Sequence, residues 1–147
     1  MTNKAILKGT YCILIDLKSK KAISIGKLGE IDFQKGYYIY VGSALNSLLG
    51  RIKRHLSSDK KIYWHIDYLL AHDDAEIVDI LFVVNIYKWE CKLAEKIADR
   101  GVSVKNFGCS DCKCNSHLFY FKNLDDLRRC CLDAFRMLKL EPENYFE

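Results

Sequence analysis

The sequence predicts an α+β domain in which a small, mainly antiparallel sheet is covered by helices. Three observations lead there. Runs rich in β-branched and aromatic residues stand first and close together, at Gly9 to Leu17, Ala22 to Leu28 and Tyr37 to Val41. Apolar residues at helical spacing follow, interrupted by one continuous apolar run at Ile77 to Val84. Finally, the chain has no repeat, no low-complexity stretch and no linker, its only proline is Pro142, and its 147 residues suit one domain with its own core.

Taken in order, Gly9 to Leu17 reads as a strand and Ala22 to Leu28 as its hairpin partner, with Lys18-Ser19-Lys20-Lys21 as the turn. Gly29 to Gly36 reads as a loop, and Tyr37 to Val41 as a third strand. A helix is expected from Leu45 to Leu56, because Leu45, Leu48, Leu49, Ile52 and Leu56 form one apolar stripe. A second helix spans Ile62 to Ala71, carrying Trp64, Tyr68 and Leu69. After the buried strand Ile77 to Val84, a helix from Trp89 to Arg100 stops at Gly101. Leu118 to Phe121 is a short strand, and Asp125 to Leu140 a last amphipathic helix.

Composition narrows the class. Half the residues are hydrophobic and 29% are charged, as in a soluble globular protein. No apolar run is long enough to span a bilayer, and Met1-Thr2-Asn3-Lys4 lacks a signal-peptide pattern, so a cytoplasmic protein without a membrane partner is expected. The net charge of +4, from 23 basic and 19 acidic residues, is compatible with a polyanion and does not demand one. Its distribution is uneven: Lys18, Lys20, Lys21, Arg51, Lys53, Arg54, Lys60 and Lys61 load the first half. Seven cysteines, odd in number and unevenly placed, speak for metal binding or packing before a disulfide framework.

Two tripeptides frame the chemistry. Gly9-Thr10-Tyr11 opens the first strand and Tyr40-Val41-Gly42 closes the third. Tyr40 to Ala44 leads into a helix bearing Arg51 and His55, and Glu90 and Glu95 stand on a later helix. With Trp64-His65-Ile66-Asp67-Tyr68 and Ser110 to Leu118, these stretches resemble a compact, single-domain branch of the GIY-YIG nuclease superfamily, over almost the whole chain. The resemblance departs at Thr10 and Val41, where the signatures carry isoleucine. Residues 18–36 also set the tripeptides farther apart than usual. It implies a GIY-YIG-like fold, phosphodiester hydrolysis and one carboxylate-held divalent ion.

Periodicity refines the residues. Alternate strand residues share a face, so Tyr38, Tyr40 and Gly42 point one way, and Tyr11 with Ile13 and Ile15 meets Tyr40 if the first and third strands are neighbours. Successive helix residues lie about 100° apart, which puts Arg51 and His55 on one flank of the apolar stripe and Arg54 on the opposite, solvated face. Lys53 and Arg54 then read as solvated charges or backbone contacts. A guanidinium suits Arg51 because its planar fork pairs with two phosphate oxygens. Glu90 sits mid-face among Leu93, Ala94 and Ile97, whereas Glu95 lies about 140° round beside Lys92 and Asp99. A carboxylate aimed at apolar surroundings needs a ligand, so Glu90 is preferred as metal ligand, although the family's more familiar spacing favours Glu95.

The expected site therefore has Tyr11, Tyr40, Arg51, His55 and Glu90 as catalytic groups. Glu90 holds one Mg²⁺ or Mn²⁺, Arg51 neutralises charge growing on the phosphoryl oxygens, and Tyr11 or Tyr40 positions the attacking water, assisted by His55. Gly42, Ser43, Lys53, Arg54, His65, Asp111 and His117 are the expected substrate contacts, one of His65 and Asp67 facing the site. Cys109, Cys112, Cys114 and His117 offer four zinc ligands within nine residues, but a second distant pair is missing. The other reading makes Asp111 and His117 polar groups at the site's edge and the cysteines small packing residues, and it ranks first. Cys130 and Cys131 read as helix packing.

Three functions compete. The first is a structure-selective or repair-type endonuclease, acting on DNA before RNA, with specificity low or supplied by a protein partner. The second is a non-catalytic nucleic-acid-binding module on the same fold. A zinc-stabilised protein-interaction domain comes third, because it leaves the tyrosines and arginine unexplained.

Overall fold

The computed structural model describes residues 7–109 and 114–146. The chain runs β1 (Gly9–Leu17), β2 (Lys21–Ser24), β3 (Glu30–Phe33), β4 (Gly36–Ala44), α1 (Leu48–Leu56) and α2 (His65–Leu70). It continues as β5 (Ala75–Val84), α3 (Glu90–Ala98), β6 (Val102–Ser103), β7 (Leu118–Phe121), α4 (Leu124–Met137) and β8 (Glu143–Asn144). Six strands form one sheet in the order β6-β7-β4-β1-β5-β8, every pairing antiparallel. The expected α+β class, with helices over a mainly antiparallel sheet, is what the chain adopts.

β1 occupies the middle because it is apolar on both sides. Tyr11, Ile13, Ile15 and Leu17 pack on one face with Tyr38 and Tyr40 from β4, Leu48 and Ile52 from α1, and Ile66 and Leu69 from α2. Cys12 and Leu14 pack on the other with Leu93, Ala94 and Ile97 of α3 and with Leu127, Cys130, Cys131, Ala134 and Phe135 of α4. Helices thus lie on both faces, and each buried side chain contributes roughly 1.5–3 kcal/mol relative to exposure. α4 begins cleanly because the Asn123 side chain accepts hydrogen bonds from the Asp125 and Asp126 amides.

Three expectations need correction. β2 pairs with β3 as a separate two-stranded unit, rather than with β1. Both edges of β1 are already taken by β4 and β5, and the stretch after it is tied to the start of β5: Lys18 N–H donates to the Asp74 carbonyl, and Ser19 Oγ and Lys21 Nζ reach the Asp74 carboxylate. Gly29 to Gly36, expected to be a loop, therefore contains β3. α1 starts at Leu48 because Ser47 has φ 49°, outside the helical region, and Leu45 is 66% exposed instead of joining the stripe. The edge strands β6 and β8 have two residues each, too few to show a period. Among the described residues no helix is long and apolar enough to cross a membrane.

One buried charge ties α1 to α2. Asp67 is fully buried, and its carboxylate accepts from Arg54 Nη1 and Nη2 at 3.1 and 3.0 Å and from the Tyr63 and Trp64 amides at 2.9 Å. Burial pushes the Asp67 pKa up, but these hydrogen bonds outweigh it and hold the carboxyl below its ordinary value. Arg54 keeps some solvent contact, so the pair is worth less than a fully buried one. Asp67→Ala, which removes four hydrogen bonds at once, is expected to lower unfolding free energy by about 3 kcal/mol in urea titration. A loss below about 1 kcal/mol would reduce the pair to an ordinary surface contact.

Candidate active site

The site starts from strand register. Tyr11 stands opposite Gly42 and Ile13 opposite Tyr40, so both tyrosines lie on one face of adjacent strands, and both are buried. Glycine is required at position 42 because a Cβ there would lie 2.5 Å from Tyr11 Cζ and 2.6 Å from its hydroxyl. The bare backbone lets the Tyr11 ring lie flat over β4 and brings its hydroxyl to α1. There it meets His55 Nε2 at 2.7 Å.

Arg51, one turn before His55, donates from Nη1 to the Ser43 carbonyl at 3.0 Å, and its guanidinium sits 4.5 Å over the Trp64 ring. Glu90, at the first turn of α3, approaches from the far side. Its Oε2 accepts from Ser43 Oγ at 3.1 Å, and Lys88 Nζ and His117 Nδ1 each lie 3.9 Å from Oε1. Tyr11, Tyr40, Gly42, Ser43, Arg51, Trp64, Lys88, Glu90 and Gly108 line one solvent-open cavity of about 370 Å³. Of the two glutamates weighed from the sequence, Glu90 reaches this cavity. Glu95 is exposed and lines a different one with Cys91 and Ala94.

Burial sets the protonation of the groups. It raises the Tyr11 and Tyr40 pKa values above the phenolic norm, and the Arg51 charge opposes the shift at both. It lowers His55 to about 3, so the imidazole is neutral near pH 7. No described residue hydrogen-bonds His55 Nδ1. A small polar cluster of neutral phenol and imidazole thus stands beside one cation and one carboxylate.

Other expected residues have different work. Arg54 is not on a solvated face: it is committed to Asp67 and the Lys61 carbonyl, and its guanidinium lies 4.3 Å over Trp64. The helical wheel gave its direction correctly, but α2 comes to meet it there. Lys53 is exposed. Neither His65 nor Asp67 lines the cavity; His65 Nδ1 accepts the Gly108 N–H at 2.8 Å and so holds a wall residue in place. His117 is buried next to Glu90. Asp111 and Cys112 lie outside the described residues. Trp64, Lys88 and Gly108 went unrecognised as wall residues; Lys88 had a signal in sequence, two positions before Glu90.

Beside the Glu90 carboxylate stands one further oxygen donor, Ser43 Oγ, whereas sulfur and nitrogen donors gather at the next residue of the helix. Cys91, Cys114 and His117 place one ligand atom each within 4.8 Å of one another. Cys109 is outside this group, and its Sγ donates to the Phe107 carbonyl at 3.4 Å. Cys91 was not among the zinc ligands read from the sequence, because it belongs to a helix far along the chain from the cysteine tract.

Neutral burial of His55 has a measurable consequence. Below pH 6.5 the unfolded chain takes up a proton that the folded chain refuses until about pH 3, so stability falls as pH drops. The group contributes up to about 1.4 kcal/mol per pH unit in that window. Denaturant unfolding between pH 6.5 and about 5, where carboxylates stay ionised, should show a shallower slope in His55→Gln than in the parent. Equal slopes would mean that His55 charges readily in the folded chain.

Comparison with known proteins places the chain by family. No curated protein and no solved structure matches it. A family model matches residues 10–140, which take in the tyrosines, the arginine helix, Glu90 and the cysteine tract. The chain belongs to the family described as domain of unknown function DUF123.

Proposed function

We propose that this chain is a metal-dependent endonuclease that hydrolyses phosphodiester bonds of nucleic acid, DNA ahead of RNA, in repair or structure processing. The observation that carries the reading is the convergence of Tyr11, Arg51 and Glu90, from three elements, on one solvent-open cavity, with His55 outside its wall and hydrogen-bonded to Tyr11. A surface that only bound a polyanion would gain from Arg51 and Lys88 but would be weakened by a carboxylate between them.

The donors around Glu90 fit Mg²⁺ or Mn²⁺. A single carboxylate and a hydroxyl, with room for water, suit a hard cation that keeps most of its hydration shell. Held by Glu90, such an ion would polarise the scissile phosphate and offset its charge. The chain's own groups do the rest. Arg51, anchored through one nitrogen to Ser43, directs its charge at the phosphoryl oxygens where negative charge grows. Trp64 beneath the guanidinium keeps it from collapsing onto the helix.

With the His55 proton on Nδ1, Nε2 accepts the Tyr11 O–H. Tyr11, at the cavity wall, would then have its remaining acceptor capacity for Arg51 and the attacking water. Tyr11 is neutral near pH 7, so it orients the water first. The Arg51 charge lowers the cost of any negative charge that builds on its oxygen. Tyr40, two residues from Gly42, presents the second hydroxyl at the same wall.

Cleavage of labelled single-stranded, duplex, flap and bubble DNA, with RNA alongside, tests the reading in Mg²⁺, Mn²⁺ or chelator. Glu90→Ala should abolish cutting while nucleic-acid binding survives. Arg51→Ala should lower kcat by about 10²–10³-fold, and Tyr11→Phe by roughly 10²-fold or more. Unchanged cutting in Glu90→Ala removes the metal assignment. Salt-sensitive binding without cutting, by well-folded parent protein, would favour a binding module.

A further inference from the structure

Behind the Glu90 wall lies a cluster that the proposed hydrolysis does not use. Cys91 follows Glu90 in the first turn of α3, and about 100° of helix rotation between neighbours turns the two side chains to different surroundings. Cys114 and His117 come from the stretch leading into β7, and with Cys91 their ligand atoms lie within 4.8 Å of one another. In a tetrahedral zinc site the ligand atoms stand about 3.5–4 Å apart, so a shift of roughly 1 Å closes this group onto an ion. Side-chain rotation supplies that much.

The surroundings favour a built site over chance proximity. His117 is almost completely buried, and Cys91 and Cys114 are half-buried. The His117 backbone is stitched on both sides: its N–H donates to the Phe107 carbonyl at 2.8 Å, and its carbonyl accepts from Val41 at 2.9 Å. The imidazole is therefore carried by β4, not by a wandering loop. A carboxylate also stands near it, Glu90 Oε1 at 3.9 Å from Nδ1, close enough to face the ring but beyond hydrogen-bond reach. The run from Cys109 to His117 lacks a distant second ligand group, and Cys91 supplies one from another element.

We propose that Cys91, Cys114 and His117 bind one Zn²⁺, which staples the first turn of α3 to the chain entering β7. Two thiolates and an imidazole are the donors that zinc takes and magnesium avoids. Binding releases the two thiol protons to solvent and leaves a fourth position for another thiolate or a water. Because Cys91 adjoins Glu90, the staple also fixes the carboxylate of the neighbouring cavity. The site stands on its own donors and does not depend on the chain being a nuclease.

Metal analysis of the full chain, purified without chelator, is expected to find one zinc per molecule. Exchange into Co²⁺ should give a thiolate-to-metal charge-transfer band and tetrahedral visible bands. Cys91→Ser and Cys114→Ser should each weaken binding by more than the roughly 10–100-fold that loss of an outer partner costs. Cys91→Ser carries the most weight, because it lies outside the cysteine tract. Substoichiometric zinc together with a Co²⁺ spectrum lacking thiolate bands would overturn the proposal, and so would unaltered affinity in Cys91→Ser. A disulfide among these cysteines under reducing conditions would also overturn it. If a variant fails to fold, the Co²⁺ spectrum of the parent chain decides alone.

Discussion

The candidate site rests on the register in which β1 lies against β4. Tyr11 is opposite Gly42 and Ile13 opposite Tyr40. Side chains alternate along a strand, so a slip of one residue would send Tyr11 and Tyr40 to opposite faces and put a Cβ under the Tyr11 ring. The register is held by far more than these residues. Both faces of β1 are filled, Ile13 and Ile15 with one set of helices and Cys12 and Leu14 with the other, so a slip would expose two cores at once. Packing across the whole sheet therefore fixes the placement of one hydroxyl. That placement in turn selects His55 as its partner on α1.

Trp64 divides the work of two arginines. Both guanidiniums lie over its ring, yet their partners differ. Arg54 is neutralised by the buried Asp67 and serves to bind α1 to α2. Arg51 donates to a carbonyl, which carries no formal charge, and among the described residues no carboxylate forms an ion pair with it. Its positive charge is thus exposed to the cavity, within a wall made stiff by its neighbour. The structural pair is what leaves Arg51 available.

Much of this was legible in the sequence where a period of two or 3.6 had enough residues to speak. The β-forming residues of Gly9 to Leu17 marked a strand, though not its central place in the sheet, and the alternation of Tyr38, Tyr40 and Gly42 predicted which side chains share a face. The helical wheel of α3 separated Glu90 from Glu95, since Leu93, Ala94 and Ile97 define the buried side. What failed was information held by partners distant in sequence. Arg54 points where the wheel put it, but nothing in α1 announces that Asp67 arrives from α2. Lys18 to Lys21 looks like a hairpin turn until the Asp74 contacts are known. The grouping of Cys91 with Cys114 and His117 has the same origin: it is a tertiary fact, invisible in the spacing of either segment.

Consecutive residues on α3 carry opposite chemical preferences. Glu90 offers oxygen to a cavity walled by a hydroxyl, a guanidinium and two phenols, whereas Cys91 offers sulfur to a second thiol and an imidazole. Hard cations gain little from thiolates, and zinc binds the sulfur-nitrogen set in preference to a lone carboxylate. In the proposed reading this difference keeps two ions apart although their ligands are neighbours on the backbone. His117 is buried beside Glu90: its ring faces the carboxylate while its backbone is anchored to β4 and to Phe107. A carboxylate that must hold a weakly bound ion in a solvent-open cavity benefits from a helix turn that cannot fray. In the same reading, an ion held at Cys91, one residue away, would prevent that fraying.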